Sequence, residues 1–597
     1  MKQIRYILFL LISTLYFLNN GYAQSEAEFI KLVKEYTYKP GGELEFHYNK
    51  ILKLHTHKAF NNLYGETFIV YNPDFQQLKI NDCYTVQADG TTIKAPQNAF
   101  NEVLPSAAAD APAFNQIKEM VITHTGLEIG ATEYLDYTLK SKRSSLNRLD
   151  IDEVLQELSP VKEYIVIVNI PENQEFSYRL TASKIKPEIS IKDGMKSYRW
   201  KFKNIPAAVN EPYQSVNLYD VPRLTACTYT STEQALNFFQ KYLSAPVDTE
   251  IQKFTQQLVQ NTTTEKEKVI AIYNYITKNI SSIGLSLEDI DFVSRNPLQV
   301  LESAYGTKIE KADLLISMLK SVGLKPAFVI VYPETLKNTM KGLKPIQDFF
   351  VKVDADHQSY YLSPVLPIAA SFEKIAQYKD LWLISQARIE PIPSVTPAEM
   401  VLNCNTHIHF TGDSAYLTAT INTLGNTMND LMPIFFNNYK SALTRNFGTL
   451  TSSEIIHSNP DQTEIKISAE KNLQKANDYF VYHLPVLSAG IASWQLNALN
   501  TSRKTKMEIP YLLQENYEYT IQLPVNKALK NKNTEIHLKN TAGSVDISLQ
   551  QKDQTLLIRK HLALTKGIYK PSSAEYGNLR ELINLWLSNG TENLILR

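Results

Sequence analysis

The stretch Tyr305-Gly306-Thr307-Lys308-Ile309-Glu310-Lys311-Ala312-Asp313-Leu314-Leu315, followed by Met318-Leu319 and Gly323-Leu324-Lys325-Pro326-Ala327, sets the character of the middle of the chain. Its periodicity predicts a helix from about Ile309 to Val322, with Ala312, Leu315, Ile316 and Leu319 on one face. Gly323 stands where a helix end calls for positive φ. Three strand-like runs follow: Ala327–Tyr332, Phe349–Val353 and Tyr360–Leu362. Upstream, Thr264 and Glu267 have capping-box spacing, and Val269, Ile270, Tyr273 and Ile276 recur at helical intervals. Helices first and an antiparallel sheet afterwards predict an α+β domain over 225–395.

Both flanks change period. Between 24 and 215 the apolar residues alternate, as in Leu44-Phe46-Tyr48, Glu66-Thr67-Phe68-Ile69-Val70-Tyr71 and Tyr164-Ile165-Val166-Ile167-Val168. Ala88-Asp89-Gly90 is a tight-turn signal, and Ala107 to Pro112 reads as a surface loop. An antiparallel, β-sandwich-like domain is expected there. From 396 to 597 alternation returns in His407-Ile408-His409-Phe410 and Tyr416-Leu417-Thr418-Ala419-Thr420, predicting a β-rich domain. Two helical stretches interrupt it, at about Met428 to Arg445 and Asn578 to Leu587.

Residues 1–23 read as a secretory signal peptide: Lys2 and Arg5 at the start, a largely apolar run from Ile7 to Leu18, and small residues before Gln24. No later run approaches the ~20 apolar residues that a membrane helix needs. The expectation is an exported chain, periplasmic or on the surface of a Gram-negative-type bacterium, with no transmembrane segment once the signal is removed. Without Lys2 and Arg5 the chain carries 59 basic and 61 acidic groups, a net charge of −2, which gives no reason to expect nucleic acid as a partner. The three cysteines, Cys83, Cys227 and Cys404, are too few and too scattered for a disulfide framework or a zinc cluster.

The quoted central stretch resembles the core of bacterial transglutaminase-like proteins, where a Tyr-Gly-Asp-Cys-Lys-Asp-Lys-Ala run opens the helix carrying the nucleophilic cysteine. In that family a downstream strand supplies a histidine, and an Asp-Pro pair on the next strand supplies the carboxylate. In one exported subgroup a β-rich domain of unknown function precedes the core and another follows it. The resemblance covers nearly all of the chain after residue 23. It implies a multidomain α+β protein with a central transglutaminase-like domain of the papain-like cysteine-protease superfamily between two β-rich domains.

The same resemblance places Lys308 where the family has Cys, and Thr307 where it has Asp. In Gln347-Asp348-Phe349-Phe350, Asp348 takes the His position, and in Tyr361-Leu362-Ser363-Pro364, Ser363 takes that of the Asp. Acyl transfer of this kind needs a thiolate activated by an imidazole that a third group orients. A lysine at neutral pH is a cation and a poor nucleophile. Family geometry would bring Lys308 and Asp348 face to face as an ammonium–carboxylate pair.

The expected function is therefore a non-catalytic binding or scaffold module for a polypeptide or cell-envelope ligand. Tyr305, Thr307, Lys308, Glu310, Asp348 and Ser363 are its candidate cleft residues. The competing expectations are a thiol-dependent transglutaminase or peptidase using another cysteine, and a structural subunit of an envelope assembly. No cofactor or metal is expected: the pairs His55/His57 and His407/His409 have no ligand cluster beside them, and phosphate-cradling glycine motifs are absent. The basic tracts Ser141–Ser145 and Arg503–Lys506 read as solvated faces.

Overall fold

The alternation of the N-terminal segment builds, in the computed structural model, an eight-stranded sheet whose members come from distant parts of the sequence. Residues 25–597 are described, except 143–145, 366–370, 427–442, 459–461, 495–498, 500–501, 572 and 588–589. The signal-peptide reading and nearly all of the helix expected at Met428–Arg445 lie outside the described residues, as does part of the Ser141–Ser145 tract. The described chain divides into two compact units. One holds residues up to Ala208 with Val221–Thr230 and Ile283–Ser294; the other holds Val209–Asp220, Ser231–Ser282 and Arg295–Arg597.

In the first unit the large sheet runs Glu188–Lys192, Met195–Ile205, Val161–Pro171, Ala27–Tyr38, Leu44–Leu54, Thr132–Ser141, Gln76–Val86 and Thr92–Lys94. Every pairing is antiparallel except that of Ala27–Tyr38 with Val161–Pro171, where Leu32 stands opposite Tyr164. Two three-stranded sheets cover it, centred on Arg223–Cys227 and Lys118–Thr123. Residues from both layers share one core, including Leu32, Tyr164 and Trp200 from the large sheet and Ile151 and Leu224 from the small one. The Ala107–Pro112 segment is more than a surface loop: Ala108 and Ala111 are buried, and short 3-10 turns flank Ala111.

The second unit opens with helices α1 (Thr232–Ser244), α2 (Thr249–Leu258), α3 (Glu265–Asn279), α4 (Pro297–Ser303) and α5 (Lys308–Ser321). The Thr264/Glu267 capping box is present at the start of α3. Gly323 follows α5 with φ +86°, where a Cβ would be strained. Five antiparallel strands come next: β1 (Ala327–Pro333), β2 (Asp348–Ala355), β3 (Gln358–Leu362), β4 (Lys379–Ile384) and β5 (Ile389–Ile392). They lie in the order β3-β2-β1-β4-β5. Helix α5 is buried on every side from Ile309 to Leu319, not along one stripe. Two of its buried charges are directly paired: Arg295 meets Glu310, and Lys311 Nζ donates to the Ile280 carbonyl at 2.6 Å and to Ser282 Oγ at 2.9 Å.

The C-terminal part of this unit is a second eight-stranded sheet running from Thr449–Ser458 at one edge to Thr534–Asn540 at the other. The helix Ala574–Leu587 buries Leu579, Leu582, Ile583 and Trp586 in the same core as the strands. It begins four residues before the expected Asn578.

Candidate functional site

The site is built at the first turn of α5. Thr307 is its N-cap: the hydroxyl accepts from the Glu310 amide, and the Glu310 carboxylate accepts from the Thr307 amide at 2.9 Å. Arg295 closes this arrangement. Its Nε lies 3.0 Å from Glu310 Oε1, and its Nη2 lies 3.1 Å from Glu310 Oε2 and 2.7 Å from the Tyr305 carbonyl. The guanidinium also lies 4.6 Å from the Tyr305 ring centre. Glu310 is wholly buried and Thr307 nearly so. These two expected cleft residues thus do not line a cleft; they hold the start of the helix in place, with Tyr305 half-buried beside them.

Lys308 is the first residue of α5, and its ammonium donates to Asp348 Oδ1 at the start of β2. The same Asp348 oxygen accepts from the Phe349 amide at 2.8 Å, and Lys308 Nζ lies 5.3 Å from the Phe349 ring centre. Both charged side chains keep over a third of their surface open, at 37% and 40%. A cation at the positive end of a helix is disfavoured, so the carboxylate opposite it offsets both the charge and the helix field. Ser363 follows β3, one step beyond the Val351–Leu362 register pair; it is buried, and its Oγ accepts from the Val365 amide at 3.3 Å. Of the expected positions, Lys308 and Asp348 therefore meet in an ion pair, while Ser363 is recessed in the strand end.

Asp313, one turn into α5, is buried without a hydrogen bond to its Oδ1. Burial pushes its carboxyl up to about 7, with Lys320 and Lys241 pulling the other way. The folded chain therefore binds a proton at Asp313 that the unfolded chain releases near its ordinary value of 3.8, so this group lowers stability as pH rises from about 4 through about 7. Asp313→Asn should match the parent at pH 4 and exceed it by on the order of 2–4 kcal/mol at pH 8, read from denaturant unfolding at both values. An advantage that is equal at the two pH values would contradict the assignment.

All three cysteines are free and buried. Burial pushes the Cys83 thiol up to about 11, and those of Cys227 and Cys404 up to about 12. Cys83 has a neighbour that the sequence reading did not pick out: its Sγ lies 3.6 Å from His124 Nδ1. The other ring nitrogen of His124 is 2.7 Å from Glu133 Oε1, which Lys50 Nζ approaches to 2.5 Å. Burial pushes the Glu133 carboxyl up, but Lys50 and His124 outweigh it and leave the group below its usual range. Lys50, Cys83 and Glu133 lie on three separate strands and His124 just follows a fourth, all spread over 84 positions, a grouping that no local spacing signals. Of the histidine pairs, His409 stacks on Tyr416 with ring centres 5.5 Å apart. Among the described residues no group of three or more His, Cys, Asp or Glu is arranged to hold a metal ion.

A helix whose first residue meets the start of the second strand of an antiparallel sheet, within this helix-then-sheet order, defines a transglutaminase-like, cysteine-protease-like fold. The transglutaminase-like superfamily profile matches residues 252–358, between the domains of unknown function DUF3857 at residues 40–209 and DUF3858 at residues 478–596. A crystal structure described as a "putative protease" from Parabacteroides distasonis ATCC 8503 is 33% identical and covers 96% of this chain and 99% of its own, with a TM-score of 0.75. The chain belongs to this family of transglutaminase-like proteins flanked by DUF3857 and DUF3858. A "putative cysteine protease" from Cytophaga hutchinsonii is 13% identical, covering 36% of this chain and 75% of its own, with a TM-score of 0.18. No curated protein matches the sequence.

Proposed function

We propose that the chain is an exported, non-catalytic member of its family whose central domain binds a polypeptide or cell-envelope ligand at Lys308 and Asp348. The observation that carries this is the Lys308–Asp348 ion pair, at the positions where the family resemblance expects thiol and imidazole. An ammonium on the first residue of α5 offers donors only, and an ionised Asp348 offers acceptors only. Neither can form or resolve an acyl-enzyme through a thiolate. Half-exposed opposite charges side by side suit the carbonyl and amide groups of an extended peptide. The description of the Parabacteroides relative as a "putative protease" supports a polypeptide as the ligand class.

A thiol enzyme is the second reading, and the Cys83–His124–Glu133 grouping favours it, since a nucleophile, a base and an orienting carboxylate are the elements of such a site. Against it stand a thiol pushed up to about 11 and a Cys83 side chain only 7% exposed. Amine incorporation into glutamine-containing protein, together with hydrolysis of a casein-type substrate, separates the two. The expected result is no turnover sensitive to iodoacetamide; activity that iodoacetamide or Cys83→Ala abolishes would overturn the proposal. Envelope-fraction pull-down should lose its captured partner in Lys308→Glu. Retention of the same partner would move the contacts to the β-rich domains and make the chain a structural subunit.

A further inference from the structure

We infer that an open cavity at the far end of α5 binds an organic anion with an apolar body. The cavity holds about 550 Å³, within the range of small-molecule sites. The fourteen residues of α5 put it about 20 Å along the helix from Lys308. Its floor is apolar, formed by Leu243, Leu324, Pro326 and Leu383. Its rim carries four cationic side chains, Lys320, Lys325, Lys352 and Arg388, against the single carboxylate of Asp354.

The charges are unevenly used. Lys320 Nζ donates to the Leu243 carbonyl at 3.1 Å and to that of Ala245, answering the negative end of α1. Lys352 pairs with Asp354 at 2.8 Å, and Arg388 with Glu390 at 3.1 Å through an exposed contact that is easily exchanged. Lys325 is exposed and has no ion-pair partner among the described residues. An anionic head would therefore meet Lys325 and the outer nitrogens of Arg388 while an aliphatic body covers the floor. Another cavity among the described residues, about 510 Å³ on the C-terminal sheet, offers no such surplus. There His537 faces Asp546 at 2.8 Å and Arg559 pairs with Glu518 at 2.7 Å.

Isothermal titration of the full chain with octanoate, octyltrimethylammonium and acetate tests the assignment. Octanoate should bind, acetate should bind at least about tenfold more weakly, and the cationic amphiphile should not bind. Lys325→Glu with Arg388→Glu should weaken octanoate by about tenfold or more at an unchanged thermal midpoint. If that variant is unstable, Lys325→Ala alone should weaken octanoate measurably. N-acetyl-Leu-Leu run beside octanoate distinguishes a peptide carboxyl terminus from a free acyl acid, and tighter binding of either upholds the site. Equal affinity for octyltrimethylammonium or acetate, binding of neither octanoate nor N-acetyl-Leu-Leu, or a charge-reversed variant that binds as the parent does would overturn it.

Discussion

A Lys308→Cys, Asp348→His variant is expected to gain a thiol that iodoacetamide alkylates rapidly at neutral pH. Position 308 is the first residue of α5, where a capping box and a bidentate arginine fix the helix end. Amide dipoles converge on that position and favour a thiolate, and cysteines at helix starts or beside a protonated imidazole ionise at about 3.5–7.5. A free thiol near 8.5 is only about 3% ionised at pH 7. Even after its lower intrinsic nucleophilicity is allowed for, the engineered thiol should react about tenfold faster than free cysteine. The buried parent cysteines provide a quiet background. Asp348 already reaches the side chain of residue 308, so an imidazole there needs no movement of β2. A rate–pH profile with an apparent value below 8 would place 308 and 348 at the family's chemical centre. A profile rising only above 9 would mean that they are ordinary surface neighbours. Turnover, as opposed to thiol reactivity, should also require Ser363→Asp, because the imidazole otherwise lacks an orienting carboxylate.

The meeting of Lys308 with Asp348 was legible because it depends on two local features, a helix start and a strand start, whose juxtaposition the family resemblance supplies. The end of α5 at Gly323 and the Thr264/Glu267 cap were legible from local conformational chemistry. What surrounds the pair was not. Glu310 reads as a polar cleft residue by its place in the family's helix-opening motif, in the first turn of α5. Yet α5 is buried all round, and a buried carboxylate persists only because Arg295, fifteen positions upstream, pairs with it. Sequence spacing along the helix cannot reveal a partner that arrives from a preceding loop. The same limit hid His124 beside Cys83, since strand pairing across long separations sets which faces meet. The parallel pairing of Ala27–Tyr38 with Val161–Pro171 likewise has no local signature, as alternation fixes the face of a strand but not its neighbour.

Removing the Glu310 carboxylate should have the largest effect on stability of any single change at this site. Glu310→Ala leaves the Arg295 guanidinium, whose side chain is only 15% exposed, without its counter-charge and strips two acceptors from it. It also opens the capping box by freeing the Thr307 amide. Stranding one member of a buried pair costs about 3–5 kcal/mol, and loss of a cap about 1 kcal/mol. Glu310→Gln keeps an acceptor for the Thr307 amide, since glutamine also closes a capping box, so its loss should be smaller by about the cap contribution. Arg295→Ala strands the opposite charge, a wholly buried carboxylate. The double variant Arg295→Ala, Glu310→Ala should therefore be less destabilised than the two single losses added together, by about 1–3 kcal/mol of coupling. Denaturant unfolding of the four chains measures this. Strict additivity would mean that the two residues act separately, and the start of α5, with Lys308 on it, would then be held by packing and not by this ion pair.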